Sequence, residues 1–438
     1  MRSFREIHRP LRVVLGATLL VALGACSSIL DVKNPNNVAE AALSNPVSAA
    51  AQTSGVLASM DRMLSGLAVT YAVATDELDW IGSRDAWLDL DTGAISNYFN
   101  EFIDGSFTNV GEARYLADAT IARLEGFSKA GTLTDHLLLA RTYLYAAIIY
   151  TTIADTYDDF AFSTKTVAAP AVGRANMGKL YDTAVVYLNK AQTIAAAGSD
   201  NALKYNIAAY KARVKHAKGV WAIITPEGKN KVIANPLVND AGAVADAKAA
   251  IALGGADQKF TLVDNLEATA GINIWFEVNG RNESRLGVVY QNLVDPVSGA
   301  KDPTVQALLA QFKAFGTQSG TFTMTSTREL RLILAEAALA GNDTAGFRTQ
   351  LNIVRALDGK PAFTGQIPDL TMLAYERQAQ LFLMRRRLSD MYRFGQKDSR
   401  WVNNPNFDSA FSCVGLLFPI PNVERLANPL IPPYSPCP

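Results

Sequence analysis

Apolar positions recur with a helical period along most of this chain. The stretch "DHLLLARTYLYAAIIYTTIAD" (135–155) is apolar nearly all round, which predicts a buried helix with Asp135 as its N-cap. In "NMGKLYDTAVVYLNKAQTIAAAG" (176–198), Leu180, Ala184, Tyr187, Leu188, Ala191 and Ile194 fall on one stripe, and Gly198 ends it. The same reasoning predicts helices over 205–224, 240–253 (stopped by Gly254-Gly255), 327–341, 343–359 and 371–395. The expected fold class is therefore mainly α.

Several of these helices share an alanine-spaced pattern: Ala140 to Ala147, Ala212 to Ala217, and Ala335 to Ala340. Small residues let neighbouring helices approach closely, so the helices read as pairs, each burying its face on the next. That is a degenerate tetratricopeptide-like repeat, without the strict 34-residue signature. Two long stretches, 76–110 and 256–325, show no helical period and are far longer than ordinary connections. Loops of that size on a rigid scaffold are where function concentrates.

The N-terminus follows different rules. Arg2, Arg5, Arg9 and Arg12 precede the uncharged run Val13 to Leu23, the pattern of a secretory signal. As a helix this run rises only about 16 Å, half the hydrocarbon thickness, so it does not span a bilayer. Leu23-Gly24-Ala25-Cys26 matches the bacterial lipobox, in which the cysteine thiol receives diacylglycerol and becomes the first residue of the mature chain. Residues 1–25 are expected to be a lipoprotein signal peptide, with Cys26 lipidated and residues 26–438 forming a single helical-repeat domain. The remaining thiols, Cys413 and Cys437, belong in an oxidising compartment, where a disulfide is expected and two free thiols are the alternative. The tail around them carries seven prolines from Pro419 onward and is expected to form no helix.

Charge narrows the partners. The chain has 41 basic and 41 acidic residues, and no basic face suited to displacing counterions from nucleic acid. Catalytic and metal motifs are missing as well. His136 and His216 sit on separate helices, with no H-E-x-x-H, C-x-x-C, G-x-S-x-G or phosphate-binding glycine loop. "TDELDWIGSRDAWLDLD" holds Asp76, Glu77, Asp79, Asp85, Asp89 and Asp91, and reads as a solvated acidic loop rather than a glycosidase pair. No enzyme activity, cofactor or resident metal is expected.

The C-terminal half resembles a known family. "RLILAEAAL", "LNIVRAL", "ERQAQLFLMRRRLSDMYRFG" and "LFPIPNVERLANP" occur in the order and spacing of the SusD/RagB-like outer-membrane lipoproteins. "ILDVKNPNNV" resembles that family's opening, and "ARTYLYAAIIYTTIADTYDDFAF" its first core helix and following loop. The likeness covers the mature chain and is strongest over 327–429. It departs where the family carries an acidic-Gly pair and this chain has Leu383-Met384, and where Leu388 replaces a common Trp. The resemblance implies a SusD-like fold and a surface-exposed lipoprotein that binds a nutrient, an oligosaccharide before a peptide. It further implies delivery to a SusC-like TonB-dependent transporter. A helical scaffold that organises outer-membrane proteins without binding nutrient is the alternative.

Sugar binding needs an aromatic face for pyranose C–H groups, flanked by hydrogen-bonding groups. Trp80 and Trp87 lie in the first long stretch beside Arg84 and Asp85; Trp275 and Phe276 lie in the second near Asn279 and Arg281. Trp80, Arg84, Trp87 and Trp275 are the expected ligand contacts, with burial in the core as the competing role for each tryptophan. Arg385-Arg386-Arg387 is expected to lie on one long helix, and the resemblance implies that the run is structural and pairs with acids of neighbouring helices.

Overall fold

The computed structural model describes residues 40–438 apart from 165, 226–227, 265–272, 316–317, 436 and 438. Cys26 and the signal sequence lie outside the described residues. Residues 49–438 form one compact unit; the described part of a separate N-terminal unit is a helical turn, Glu40–Leu43, followed by a 3₁₀ turn, Pro46–Ser48.

Helices dominate the larger unit. They are α1 (Ala49–Val73), α2 (Ala86–Asp91), α3 (Glu101–Lys129), α4 (His136–Thr156), α5 (Lys179–Ala196), α6 (Asn201–Ile224) and α7 (Ala241–Gly254). Beyond these come α8 (Val288–Gln291), α9 (Pro303–Phe315), α10 (Thr327–Ala340), α11 (Thr344–Leu357), α12 (Asp369–Gln380), α13 (Arg387–Arg393) and α14 (Asn422–Ala427). Among the described residues six short strands pair antiparallel: β1 (Leu78–Trp80) with β4 (Ser284–Leu286), β2 (Gly228–Lys229) with β6 (Cys413–Val414), and β3 (Lys259–Asp264) with β5 (Gly320–Ser326).

Side-chain caps start the helices where the sequence places short polar residues. Asp135 accepts from Leu137 N at 2.9 Å, Asp200 from Leu203 N at 2.9 Å, and Asp240 from Ala243 N at 2.6 Å. Each such cap satisfies an otherwise orphaned N–H. Successive helices then pack on one another: α3 on α4, α4 on α5, α5 on α6, α6 on α7, α7 on α10 and α10 on α11. This is the expected run of stacked helix pairs. By length and composition α4 could cross a bilayer, yet its residues face the protein interior.

Four expectations need correction. The stretch 76–110 is not devoid of helix: α2 lies inside it and α3 begins at Glu101, where Asn100 accepts from Phe102 N and Ile103 N. Gly105, Gly111 and Gly126 dilute the periodicity of α3, and close packing on α1 and α4 supplies what propensity lacks. Similarly, α9 occupies part of 256–325. The proline-rich tail does hold a helix, because Asn422–Ala427 is a proline-free window between Pro421 and Pro429. Finally, 371–395 is two helices. Leu383 and Arg385 adopt φ of 61° and 57° between α12 and α13, a left-handed backbone that costs non-glycine residues about 1–2 kcal/mol each.

Three tertiary contacts hold that break: Leu383 N donates to Glu77 Oε1 (2.6 Å), Leu388 N to Tyr71 Oη (2.9 Å), and Arg213 Nη2 to Met384 O (2.7 Å). The arginine run is consequently buried around a turn. Arg386 pairs with Asp155, and Arg387 grips both oxygens of Asp76 at 2.7 and 2.6 Å. In the tail a disulfide joins Cys413 and Cys437.

Candidate ligand-binding site

The two long stretches meet. Strand β1 pairs with β4 so that Asp79 lies opposite Arg285, and Ile81 N donates to Glu283 O at 3.0 Å. The Glu283 carboxylate then accepts from Ser83 N at 2.9 Å and Ser83 Oγ at 3.0 Å. The acidic segment is not a solvated loop: Asp76, Glu77, Asp79 and Asp91 are all buried. Arg400 explains the burial of two of them, reaching Asp79 at 3.0 Å and Asp91 at 2.7 Å, while Asp398 holds it at 3.1 Å. Burial pushes Asp91 up to about 6 even so, against the hydrogen bond from Trp80 N and the Arg400 charge. Asp76, Asp79 and Asp91 are committed to arginines, whereas Glu77 accepts from Leu383 N, and no group of three or more His, Cys, Asp or Glu suited to a metal occurs among the described residues.

The expected ligand contacts separate by environment. Trp87 is 3% exposed and stacks on Phe102 with centroids 3.4 Å apart, and the Arg84 guanidinium lies 4.6 Å from the centre of the same Phe102 ring. Trp80 is half-buried on the β1–β4 edge, where Ile81, Leu88, Val288 and Val289 are exposed. Trp275, also 3% exposed, stacks on Phe312 at 4.9 Å and meets Phe322 edge-on at 5.2 Å. Gly320 lets β5 run against its indole, where any Cβ would collide with the ring. Phe276–Gly280 forms a π-helical turn in which Arg281 pairs with Glu277 (3.2 Å), and Asn279 Nδ2 donates to Phe312 O (3.1 Å).

Trp275 nevertheless borders a cleft of about 250 Å³ between the β3–β5 ribbon, α9 and the end of α12. Its wall is aromatic, built from Trp275, Phe312, Phe322 and Phe382. Its polar side comes from the ribbon: Thr261 lies opposite Thr323 in the register and Thr321 opposite Val263, and Lys259 and Gln311 add an ammonium and an amide. At the rim Arg328 is held, by Asp257 at 2.7 and 2.9 Å and by Asp358 at 2.7 Å, so its charge is spent within the protein. An apolar ring face opposite several hydroxyls suits a polyhydroxylated ring compound. The volume, below the ~300–1,000 Å³ of typical small-molecule sites, suits one end of a chain rather than a whole oligomer.

Periodicity tuned to helices passed over this ribbon. The signal that carries it is the alternation in "KFTLVD" and "GTFTMTS", where threonines and apolar residues take turns at period two.

No family model and no curated protein matches the sequence. Solved structures do match the fold. A SusD superfamily protein from Bacteroides fragilis is 14% identical, with 89% of this chain covering 99% of that one at a TM-score of 0.61. A SusD superfamily protein from Parabacteroides distasonis gives 14% identity, coverage of 88% and 98%, and a TM-score of 0.61. A SusD-like carbohydrate binding protein from Bacteroides vulgatus gives 12% identity, 89% and 99%, and 0.59. The stacked helices, the meeting of both long stretches and these superpositions over nearly the full length give one conclusion: this chain has the SusD fold.

Proposed function

We propose that the protein is a glycan-binding lipoprotein of the SusD family, anchored to the outer membrane through Cys26. In this reading it faces the cell exterior and passes an oligosaccharide to a SusC-like TonB-dependent transporter. The observation that carries the reading is the aromatic-walled, threonine-lined cleft on a SusD fold, together with the carbohydrate-binding neighbour of the same fold. The chain of the sugar enters over Thr261 and Thr323, stacks toward Phe312 and Phe322, and takes hydrogen bonds from Gln311 and Lys259. Trp275 serves as the buried support of that wall. Trp80 and Arg84, on the β1–β4 edge, contact the part of the ligand that extends beyond the cleft. No catalytic residue is assigned: Asp76, Asp79 and Asp91 are each paired with an arginine.

The test is a panel of soluble polysaccharides and protein digests against the purified protein, followed by titration of Thr323→Trp, which fills the cleft from a half-buried ribbon position. Binding of a glycan that this variant weakens ten-fold or more supports the proposal. Binding of peptides alone, or of nothing in a well-folded protein, overturns it in favour of peptide capture or scaffolding respectively.

A further inference from the structure

The turn between α12 and α13 buries a guanidinium without a countercharge. Arg385 is 7% exposed and sits at φ 57°. Its chain neighbours are paired, Arg386 with Asp155 and Arg387 with Asp76. Among the described residues the hydrogen-bond partner of the Arg385 guanidinium is the Met324 sulfur, 3.7 Å from Nη2 and a weak acceptor, while Asp155 lies within electrostatic reach but is paired with Arg386. A charge taken out of water needs both a countercharge and hydrogen-bond acceptors, so a methionine sulfur does not account for it.

The surroundings say what does. Arg385 borders a small cavity whose other walls are Thr152, Asp155 and Thr156 of α4, Tyr210 and Arg213 of α6, Met384 and Arg386. Asp155, committed to Arg386, is partly exposed; the other residues are more than nine-tenths buried. The Thr152, Thr156 and Tyr210 hydroxyls make no hydrogen bond to another described residue, so three donors border the same space as the unpaired guanidinium. The balance of charge is positive. Arg213, Arg385 and Arg386 face Glu329, which holds Arg213 at 3.1 Å, and Asp155, which holds Arg386 and accepts from Tyr181 Oη at 2.8 Å. Glu77 lies within electrostatic reach of Arg385, but it accepts from Leu383 N, and burial pushes its carboxyl up to about 8, which disfavours its charged form.

We infer that this cavity binds one small monovalent anion of halide size, held by Arg385 and the hydroxyls of Tyr210, Thr152 and Thr156. The space offers about 10 Å³ to the centre of a water-sized sphere, room for a single small ion such as chloride or bromide and not for a whole sugar acid. The ion completes the charge balance of the turn and ties it to α4 and α6. It has no part in glycan binding, and the inference stands whether or not the cleft takes a sugar.

The probes are sodium chloride and sodium bromide against sodium gluconate at constant ionic strength, read by the melting temperature of the whole protein. Chloride and bromide raise it in proportion to the logarithm of their concentration above the dissociation constant, by about 2–4 °C at a hundred-fold excess, and gluconate does not. Arg385→Gly removes the charge and suits the left-handed backbone, so it folds, and its melting temperature no longer responds to halide. Tyr210→Phe retains a response whose onset lies at higher halide concentration. A bromide-soaked crystal shows anomalous density beside the Arg385 guanidinium. Equal melting in halide and gluconate, an undiminished halide response in Arg385→Gly, or a bromide-free cavity would each overturn the inference.

Discussion

The α4–α6 stack and the α10–α13 region are both helical, but they hold together by different means. In the first, Ala140, Leu144, Ala147 and Ile148 of α4 are fully buried, as are Ala184, Leu188 and Ala191 of α5. Contact there is non-directional, and its strength scales with the area removed from water. In the second, the interior is charged. Arg355, wholly buried, bridges Asp295 (3.0 Å) and Glu376 (2.6 Å), and Lys360 bridges Asp302 (3.1 Å) and Glu376 (2.7 Å). Glu336 gathers Arg393, Arg377 (3.5 Å), His216 (3.0 Å) and the Val238 N–H (2.8 Å). Burial alone would raise the Glu336 carboxyl, but Arg393, His216 and Arg377 outweigh it and hold the group well below the usual carboxylate range. Burial lowers His216 in turn. An apolar interface tolerates sliding and repacking, whereas an ionic one accepts a single register, so the second region specifies geometry more sharply and fails more abruptly.

That contrast is broken most strongly at Glu336. Glu336→Ala leaves Arg393 without its principal countercharge and should cost about 3–5 kcal/mol in chemical denaturation. Because the folded carboxyl is held low, this contribution is present above the unfolded pKa of about 4.3 and is lost as pH falls. The gap between wild type and variant should therefore narrow on acidification below pH 4.5; a gap independent of pH would show that packing rather than charge carries the effect.

Next in size is the disulfide that joins Cys437 of the tail to Cys413. Reduction releases a loop spanning 24 positions, worth about 3 kcal/mol in the chain-entropy model, and should lower the melting temperature by about 2–4 °C. An unchanged melting curve after complete reduction, verified by thiol titration, would show that the tail is held by its other contacts.

Glu77 sharpens the comparison from the opposite sign, since it is a buried carboxyl that its surroundings leave short of compensation. Its pKa is pushed up to about 8 by burial, so the folded state disfavours its ionised form, and stability falls as pH rises from the unfolded value of about 4.3 toward 8. Glu77→Gln keeps the acceptor for Leu383 N and removes the titration. The variant should melt higher than wild type at pH 8, with the difference closing toward pH 5. A constant difference would assign the effect to hydrogen bonding alone.

The smallest effect belongs to the apolar stack. Ile149→Val deletes one methylene from a wholly buried position of α4 and should cost about 0.5–1.5 kcal/mol with no pH dependence. A larger or pH-dependent loss would mean that the stack is less independent of the charged region than its composition suggests.

Much of the scaffold was legible along the chain. The stripe of 176–198 and the cap at Asp135 mark α5 and the start of α4 because apolar spacing and a short polar cap are local properties. The candidate site was half legible. Trp275 borders the cleft, but Trp87 is covered by Phe102, and a Trp in a loop looks the same in one dimension whether its ring faces ligand or core. Lys259, Thr261 and Thr323 escaped notice because a two-stranded ribbon takes its meaning from the partner strand, some sixty residues away.

What the sequence by itself determined is the helical character and the order of α4 to α7, α10 and α11, since each follows from periodicity and from residues within a turn of one another. Only the tertiary structure decided the break at 381–386. Nothing in "LFLMRR" forbids a continuous helix; Glu77, Tyr71 and Arg213, which lie far away in the chain, offer the backbone of that segment better partners than its own helix would. The same contacts turn three consecutive arginines inward toward Asp76, Asp155 and the cavity beside Tyr210. A backbone polar group accepts whichever satisfied arrangement the whole fold makes cheapest, and that choice is visible only once distant residues share a volume.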